Sequence, residues 1–197
     1  MDLTVHFFLE GFHDQLFFEK VITPVLKKKY GQKIHCDYQL YASDLFGKDK
    51  KRRDDQKKII STIINNCNYK YNHKYIFVTD KDTYPCLAQR KEKILKSVEC
   101  PSLSMNNIII VVVEIESWYV AGLDYDAWNE FAFPNIKSED VTKEVFEQTA
   151  RDMSISNMVH FRQEVLKRFD LNVAAKKNTS FKYFYDKFIS KGFSIIN

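Results

Sequence analysis

The chain has 197 residues, 45% of them hydrophobic, 15% aromatic and 28% charged, with a formal net charge of +4. That composition excludes a disordered or low-complexity polymer and suffices for a well-buried domain. No apolar stretch approaches the ~20 residues a membrane-spanning helix needs; the longest, "IIIVVVEIE" at 108–116, ends in acids.

From the N-terminus, "MDLTVHFFLE" lacks a basic n-region and a small-residue cleavage site, so no secretory signal is expected. Residues 4–10 of it are β-branched and aromatic, the pattern of a central parallel strand. Gly11 breaks the run, and "FHDQLFFEKVITPVLKKKY" predicts a helix with Leu16, Phe17, Val21 and Val25 on its apolar face. Pro24 predicts a kink or an early end in that helix. A second strand is predicted over 33–42. The charge run "FGKDKKRRDDQKK" (46–58) then leads into a helix striped by Ile59, Ile60, Ile63 and Ile64. "YIFVTD" gives a third strand, "CLAQRKEKILKSV" a helix, and "NNIIIVVVEIESW" a fourth strand.

This alternation is that of an α/β domain: a Rossmann-like, mostly parallel sheet flanked by helices. Beyond residue 124 only helical spacing recurs, in "SEDVTKEVFEQTARD", "NMVHFRQEVLKRF" and "TSFKYFYDKFI". The expected organisation is an α/β core over 1–124 and a helical C-terminal extension over 125–197, packed as one unit. Four cysteines, Cys36, Cys67, Cys86 and Cys100, form no CxxC and no Cys/His zinc spacing, and read as reduced thiols of a cytoplasmic protein.

Ligands of parallel sheets bind at the carboxyl ends of the strands, and acids gather there. Glu10 closes the first strand, with Asp14 one helical turn on. Asp80 and Asp82 close the third, and Glu114 and Glu116 the fourth; a spacing of two puts each pair on one face of an extended chain. At the fourth site a helix start, where acids suit the dipole, is the other reading of the same pair. So many carboxylates on one edge repel unless a cation lies among them. Mg²⁺ or Mn²⁺ takes such hard oxygen ligands, and paired ions serve phosphodiester hydrolysis.

"FFLEGFHD" followed by "IFVTDKD" resembles the Toprim domain of primases, type IA and II topoisomerases and the overcoming-lysogenization-defect (OLD) nucleases. The likeness covers residues 4–124 and is closest to small stand-alone Toprim-like proteins of prokaryotes, which also carry a cysteine after the DxD, here Cys86. It implies a metal-dependent nuclease in which Glu10 is a metal ligand or general base. Asp80 and Asp82 are then ligands, joined by Asp14, Glu114 and Glu116, and Lys176 or Lys177 steadies the transition state. It further implies a role in prokaryotic antiviral defence. OLD-type nucleases carry an ATPase half; without a G-x-x-x-x-G-K-[ST] here, that ATPase is expected as a separate protein.

Lys48, Lys50, Lys51, Arg52 and Arg53 fit a nucleic-acid contact, DNA ahead of RNA, because basic side chains release counterions from phosphates. Asp54 and Asp55 interrupt that run, and a solvated helix start explains it equally. Two other functions stay open: a non-catalytic Toprim-like binding subunit, and a haloacid-dehalogenase-like phosphatase. The latter places its DxD on the first strand and Thr or Val where Tyr84 stands here.

Overall fold

The computed structural model describes residues 2–193, the side chain of Gln32 apart, as two compact units. One runs to Ile110 and takes in Phe193; the other is Val111–Gly192. The division falls ahead of the expected boundary at residue 124. Among the described residues no helix is long and apolar enough to cross a membrane.

The first unit is built on β1 (Leu3–Leu9), β2 (Ile34–Leu40), β3 (His73–Asp80) and β4 (Ile108–Val111), in the order β2-β1-β3-β4, all parallel. β1 pairs along its whole length with β2, and from Thr4 to Phe8 with β3. Such a central strand is covered on both faces, which explains its nearly continuous apolar sequence. On one face, Phe8, Tyr75 and Phe77 pack against Ile60, Ile64 and Cys67 of α4 (Lys50–Tyr69) and Ile94 and Val98 of α5 (Leu87–Val98). The short α3 (Ala42–Leu45) adds Leu45. Ile59, expected in this stripe, is exposed.

The opposite face carries α1 (Phe12–Phe17) and α2 (Thr23–Tyr30), joined without a break by a π-helical turn over Phe18–Ile22. The turn lies just before Pro24, which has no N–H to give the preceding turn. It also shifts the helix register, so that Leu26, not the predicted Val25, is fully buried.

The charge run is helical from Lys50. Asp49 caps α4, its carboxylate accepting the Arg52 N–H at 3.2 Å, and Arg53 Nη1 donates to Gly47 O at 2.7 Å.

The second unit is helical: α6 (Ile115–Ala121), α7 (Tyr125–Glu130), α8 (Lys143–Asp152), α9 (Met158–Lys167), α10 (Leu171–Lys177) and α11 (Thr179–Phe184). None exceeds ten residues, a length marginal without help at the ends. That help comes from caps. Asp124, Thr142, Asn157, Asp170 and Asn178 each accept a backbone N–H at the start of α7 to α11 in turn. Phe131, Phe133, Phe146 and Phe161 form one aromatic cluster, and Trp118, Phe181 and Phe184 another. The aromatic tail is therefore core: Phe181, Phe184 and Phe188 are fully buried.

Candidate functional site

β1 and β3 are neighbours, so their carboxyl ends bring Glu10 beside Thr79 and Asp80. The third strand ends at Asp80. Asp82 lies beyond it with φ of +51°, in the left-handed region, and so does not share an extended face with Asp80 as its spacing predicted. The turn it makes still returns its carboxylate to the site.

What meets it there is Arg90, in the first turns of α5 and 4% exposed. Its Nη2 lies 2.6 Å from Glu10 Oε1 and 2.8 Å from Asp82 Oδ2. The same nitrogen donates to Thr79 Oγ1 at 2.7 Å, and Nε donates to the Asp80 carbonyl at 2.9 Å. The Phe46 and Tyr84 rings lie against the guanidinium, at 5.6 and 5.2 Å from their centroids. Burial opposes the charge of Arg90, but Glu10, Asp82 and Tyr41 outweigh it and hold its pKa above the ordinary value. Glu10 Oε1 also accepts from the Thr79 hydroxyl and, at 3.4 Å, from Tyr41. Burial, and next the Glu10 carboxylate, push the Tyr41 phenol well above its usual range; Asp14 adds to the effect.

Asp14 is buried, and its Oδ2 accepts the Gly11 N–H at 2.9 Å. The glycine thus opens α1 on a carboxylate of the helix's own first turn. One oxygen of Glu10, Asp14 and Asp82 is accordingly engaged within the protein, while Asp80 meets Arg90 through its backbone carbonyl.

Glu114 and Glu116 are not a strand-end pair. β4 stops at Val111, Val113 turns into the left-handed region at φ +72°, and Glu114 becomes the N-cap of α6. Its Oε2 accepts the Lys143 N–H at 2.5 Å. Glu116 sits in the first turn of α6, 2% exposed, with Oε1 3.0 Å from Nη2 of the equally buried Arg162. Both acids belong to the second unit. So does Lys177, whose Nζ donates to Leu123 O at 2.5 Å and lies over the Trp128 ring.

Beside Asp82 a cleft of about 710 Å³ opens between α4 and α5, lined by Phe46, Tyr84 and the cations Arg53, Lys57, Arg90 and Lys93. Of the five basic residues expected to contact nucleic acid only Arg53 lines it, joined from the same charge run by Lys57. Lys48, Lys50, Lys51 and Arg52 are exposed outside its lining.

The donor set Glu10, Asp14, Asp80 and Asp82 is all hard oxygen, the chemistry a Mg²⁺-class ion requires. It is gathered rather than closed. Among the described residues one trio of His, Cys, Asp or Glu brings its ligand atoms within 4.8 Å of one another, and that trio, His6, Cys67 and His73, lies elsewhere on the sheet. Arg90 is the residue that sequence reasoning missed. The signal was its place near the start of a helix, where a cation opposes the dipole and calls for an anionic partner. Comparison with protein-family models, curated proteins and solved structures gives no match.

Proposed function

We propose that the protein is a Mg²⁺- or Mn²⁺-dependent phosphodiesterase acting on nucleic acid, DNA ahead of RNA. One observation carries the reading: Asp82 lines a cleft with four cations, and one of them, Arg90, joins it to Glu10 at the end of the adjacent parallel strand. Glu10, Asp14, Asp80 and Asp82 would hold the ion, which supplies Lewis acidity toward a phosphoryl oxygen. Arg53, Lys57 and Lys93 would pair with the phosphates of the strand, and Arg90 fixes Glu10 and Asp82 at the cleft's edge. The reaction consumes one water and breaks one P–O ester bond, leaving a phosphomonoester and a hydroxyl. The Toprim-like residues support an OLD-type nuclease of antiviral defence, working with an ATPase on a separate chain.

A second reading, a binding module without turnover, has its own support in Arg90. A guanidinium already offsets two of the acids, so the cluster persists without an ion.

The deciding experiment incubates supercoiled plasmid, single-stranded DNA and RNA with the protein in Mg²⁺, Mn²⁺ or EDTA, beside the Asp80→Ala, Asp82→Ala double variant. Metal-dependent cleavage lost in the variant supports the nuclease. Cleavage that survives the double substitution removes these acids from the mechanism. Nucleic-acid binding without cleavage, and without Mn²⁺ binding by calorimetry, supports the module.

A further inference from the structure

The Cys/His trio lies toward the opposite end of the same sheet. His6 is in the middle of β1, His73 opens β3, and Cys67 is in the last turn of α4, all within the first unit. With β3 rising ~3.3 Å per residue, His73 stands roughly 23 Å along the strand from Asp80. The sequence offers no zinc spacing because the ligands are 61 and 6 residues apart, the first interval spanning one crossover and most of the next.

The spacing of the ligand atoms suits a tetrahedral site. His6 Nε2 and His73 Nδ1 are 3.3 Å apart, with ring planes inclined by 21°. Zinc–nitrogen bonds of ~2.0–2.1 Å place two tetrahedral ligands about 3.3–3.4 Å from each other. A thiolate at ~2.3 Å from the metal lies roughly 3.6 Å from each nitrogen, and Cys67 offers its sulfur within 4.8 Å of both. Cys67 is 7% exposed and the His6 side chain 13%, so the trio is sheltered yet reachable from solvent.

An outer-shell carboxylate stands nearby. On β2, directly across from His6, Asp37 Oδ2 lies 3.2 Å from His6 Nδ1, a charge contact not aligned for a hydrogen bond, and Asp37 Oδ1 lies 2.8 Å from His35 Nε2. A carboxylate beside Nδ1 favours the proton there and leaves the lone pair on Nε2, the nitrogen nearest His73; carboxylates in this place orient histidine ligands in zinc proteins. Burial lowers the His6 pKa against the pull of Asp37, and pushes the Cys67 thiol up to about 11, with Lys74 and Lys70 pulling the other way.

We propose that His6, Cys67 and His73 form a zinc site, with Asp37 as the positioning carboxylate and the fourth position left to water or an outside donor. On binding, the Cys67 thiol proton leaves to solvent, the proton on His73 Nδ1 moves to its Nε2, and three protein–metal bonds form. Soft and borderline ligands of this kind select zinc over the hard ions expected at the carboxylates, so this site stands or falls separately from the nuclease reading.

The test titrates Co²⁺, then Zn²⁺, into the full chain stripped with EDTA. The expected result is thiolate-to-cobalt charge transfer with intense tetrahedral visible bands, saturating at one equivalent and bleached by Zn²⁺. Cys67→Ser abolishes the charge transfer, Cys86→Ser leaves it intact, and Asp37→Asn weakens binding about 10-fold. If Cys67→Ser fails to fold, His73→Ala carries the test through the same lost bands. Zn²⁺ should also raise the melting temperature of the wild type alone. A folded wild type with no charge transfer, or bands that persist in Cys67→Ser or His73→Ala, overturns the site.

Discussion

Arg90 and Glu10, eighty residues apart, meet at 2.6 Å where α5 leans back over the end of β1. The acids of the strand ends thus have a resident cation, and it comes from the helix that follows their own DxD turn. Part of the counter-charge that these acids call for is therefore a side chain of the chain itself.

Removing that cation should leave Glu10, Thr79 and the Asp80 carbonyl underserved in a largely dry place. Arg90→Ala is expected to lower unfolding free energy by about 2–4 kcal/mol, measured by urea denaturation. Arg90→Lys recovers only part, because an ammonium cannot replace a fork that serves four acceptors. Millimolar Mg²⁺ should stabilise Arg90→Ala more than wild type if the acids accept a metal; equal effects would count against it.

The cleft makes a salt prediction. Each phosphate neutralised on duplex DNA contributes about 0.9 to the slope of log affinity against log salt. Replacing Arg53, Lys57 and Lys93 together by alanine should shallow that slope by roughly 2–3, read by fluorescence anisotropy from low to moderate salt. An unchanged slope places the nucleic acid elsewhere.

In the second unit, Glu116 and Arg162 form a pair with both side chains nearly inaccessible. Removing either partner leaves the other charge buried without its nearest counter-ion, Arg162 keeping only the more distant Glu147 at 3.7 Å. Glu116→Leu or Arg162→Met singly should cost about 3–5 kcal/mol, whereas the two together should be close to neutral. A double-mutant cycle in urea checks this; additive losses would show that the pair does not act as one.

Glu139 supplies the pH dependence. Its carboxylate accepts the Thr179 N–H at 2.6 Å at the start of α11, and the Thr179 hydrogen bonds hold its pKa below 4.5. A carboxyl depressed in the folded state adds stability that is present above pH 4.5 and fades as pH falls through the folded value. Glu139→Gln should therefore be less stable than wild type at pH 7 and lose less between pH 5 and pH 3. Parallel curves would remove Glu139 from the linkage.

How far the fold was legible follows from the period of each segment. The four strand cores, the helices after them and the helical tail all appear in the residues, because apolar runs and i, i+3, i+4 stripes record burial directly. Glu114 and Glu116 show where that record stops. "VVVE" continues a β pattern by residue type, and only the backbone reversal at Val113 turns the second acid into a helix residue. Arg90 reads as one cation among many on its helix until the strand ends are placed beside it. His6, Cys67 and His73 carry no spacing at all, since a strand centre, a helix end and a strand start bring them together. The carboxylates of the first unit, by contrast, were legible because acids at parallel strand ends led to Glu10 and Asp80, with Asp82 two residues past the second and Asp14 one turn after the first, although the same rule misplaced Glu114 and Glu116.

The π-helical turn at Phe18–Ile22 has a consequence for how this chain can vary. A π turn is in effect one residue inserted into an α-helix. The wide turn absorbs that residue, so deleting one there would restore α-helical geometry and leave everything downstream facing as it does now. Leu26 would keep its place in the core, at the eight-residue spacing from Phe17 that two α-helical turns require. The segment before Pro24 is therefore the place where this helix can lose one residue, and in any diverged copy of this chain a one-residue gap there should come with an unchanged apolar pattern over the stretch that follows Pro24.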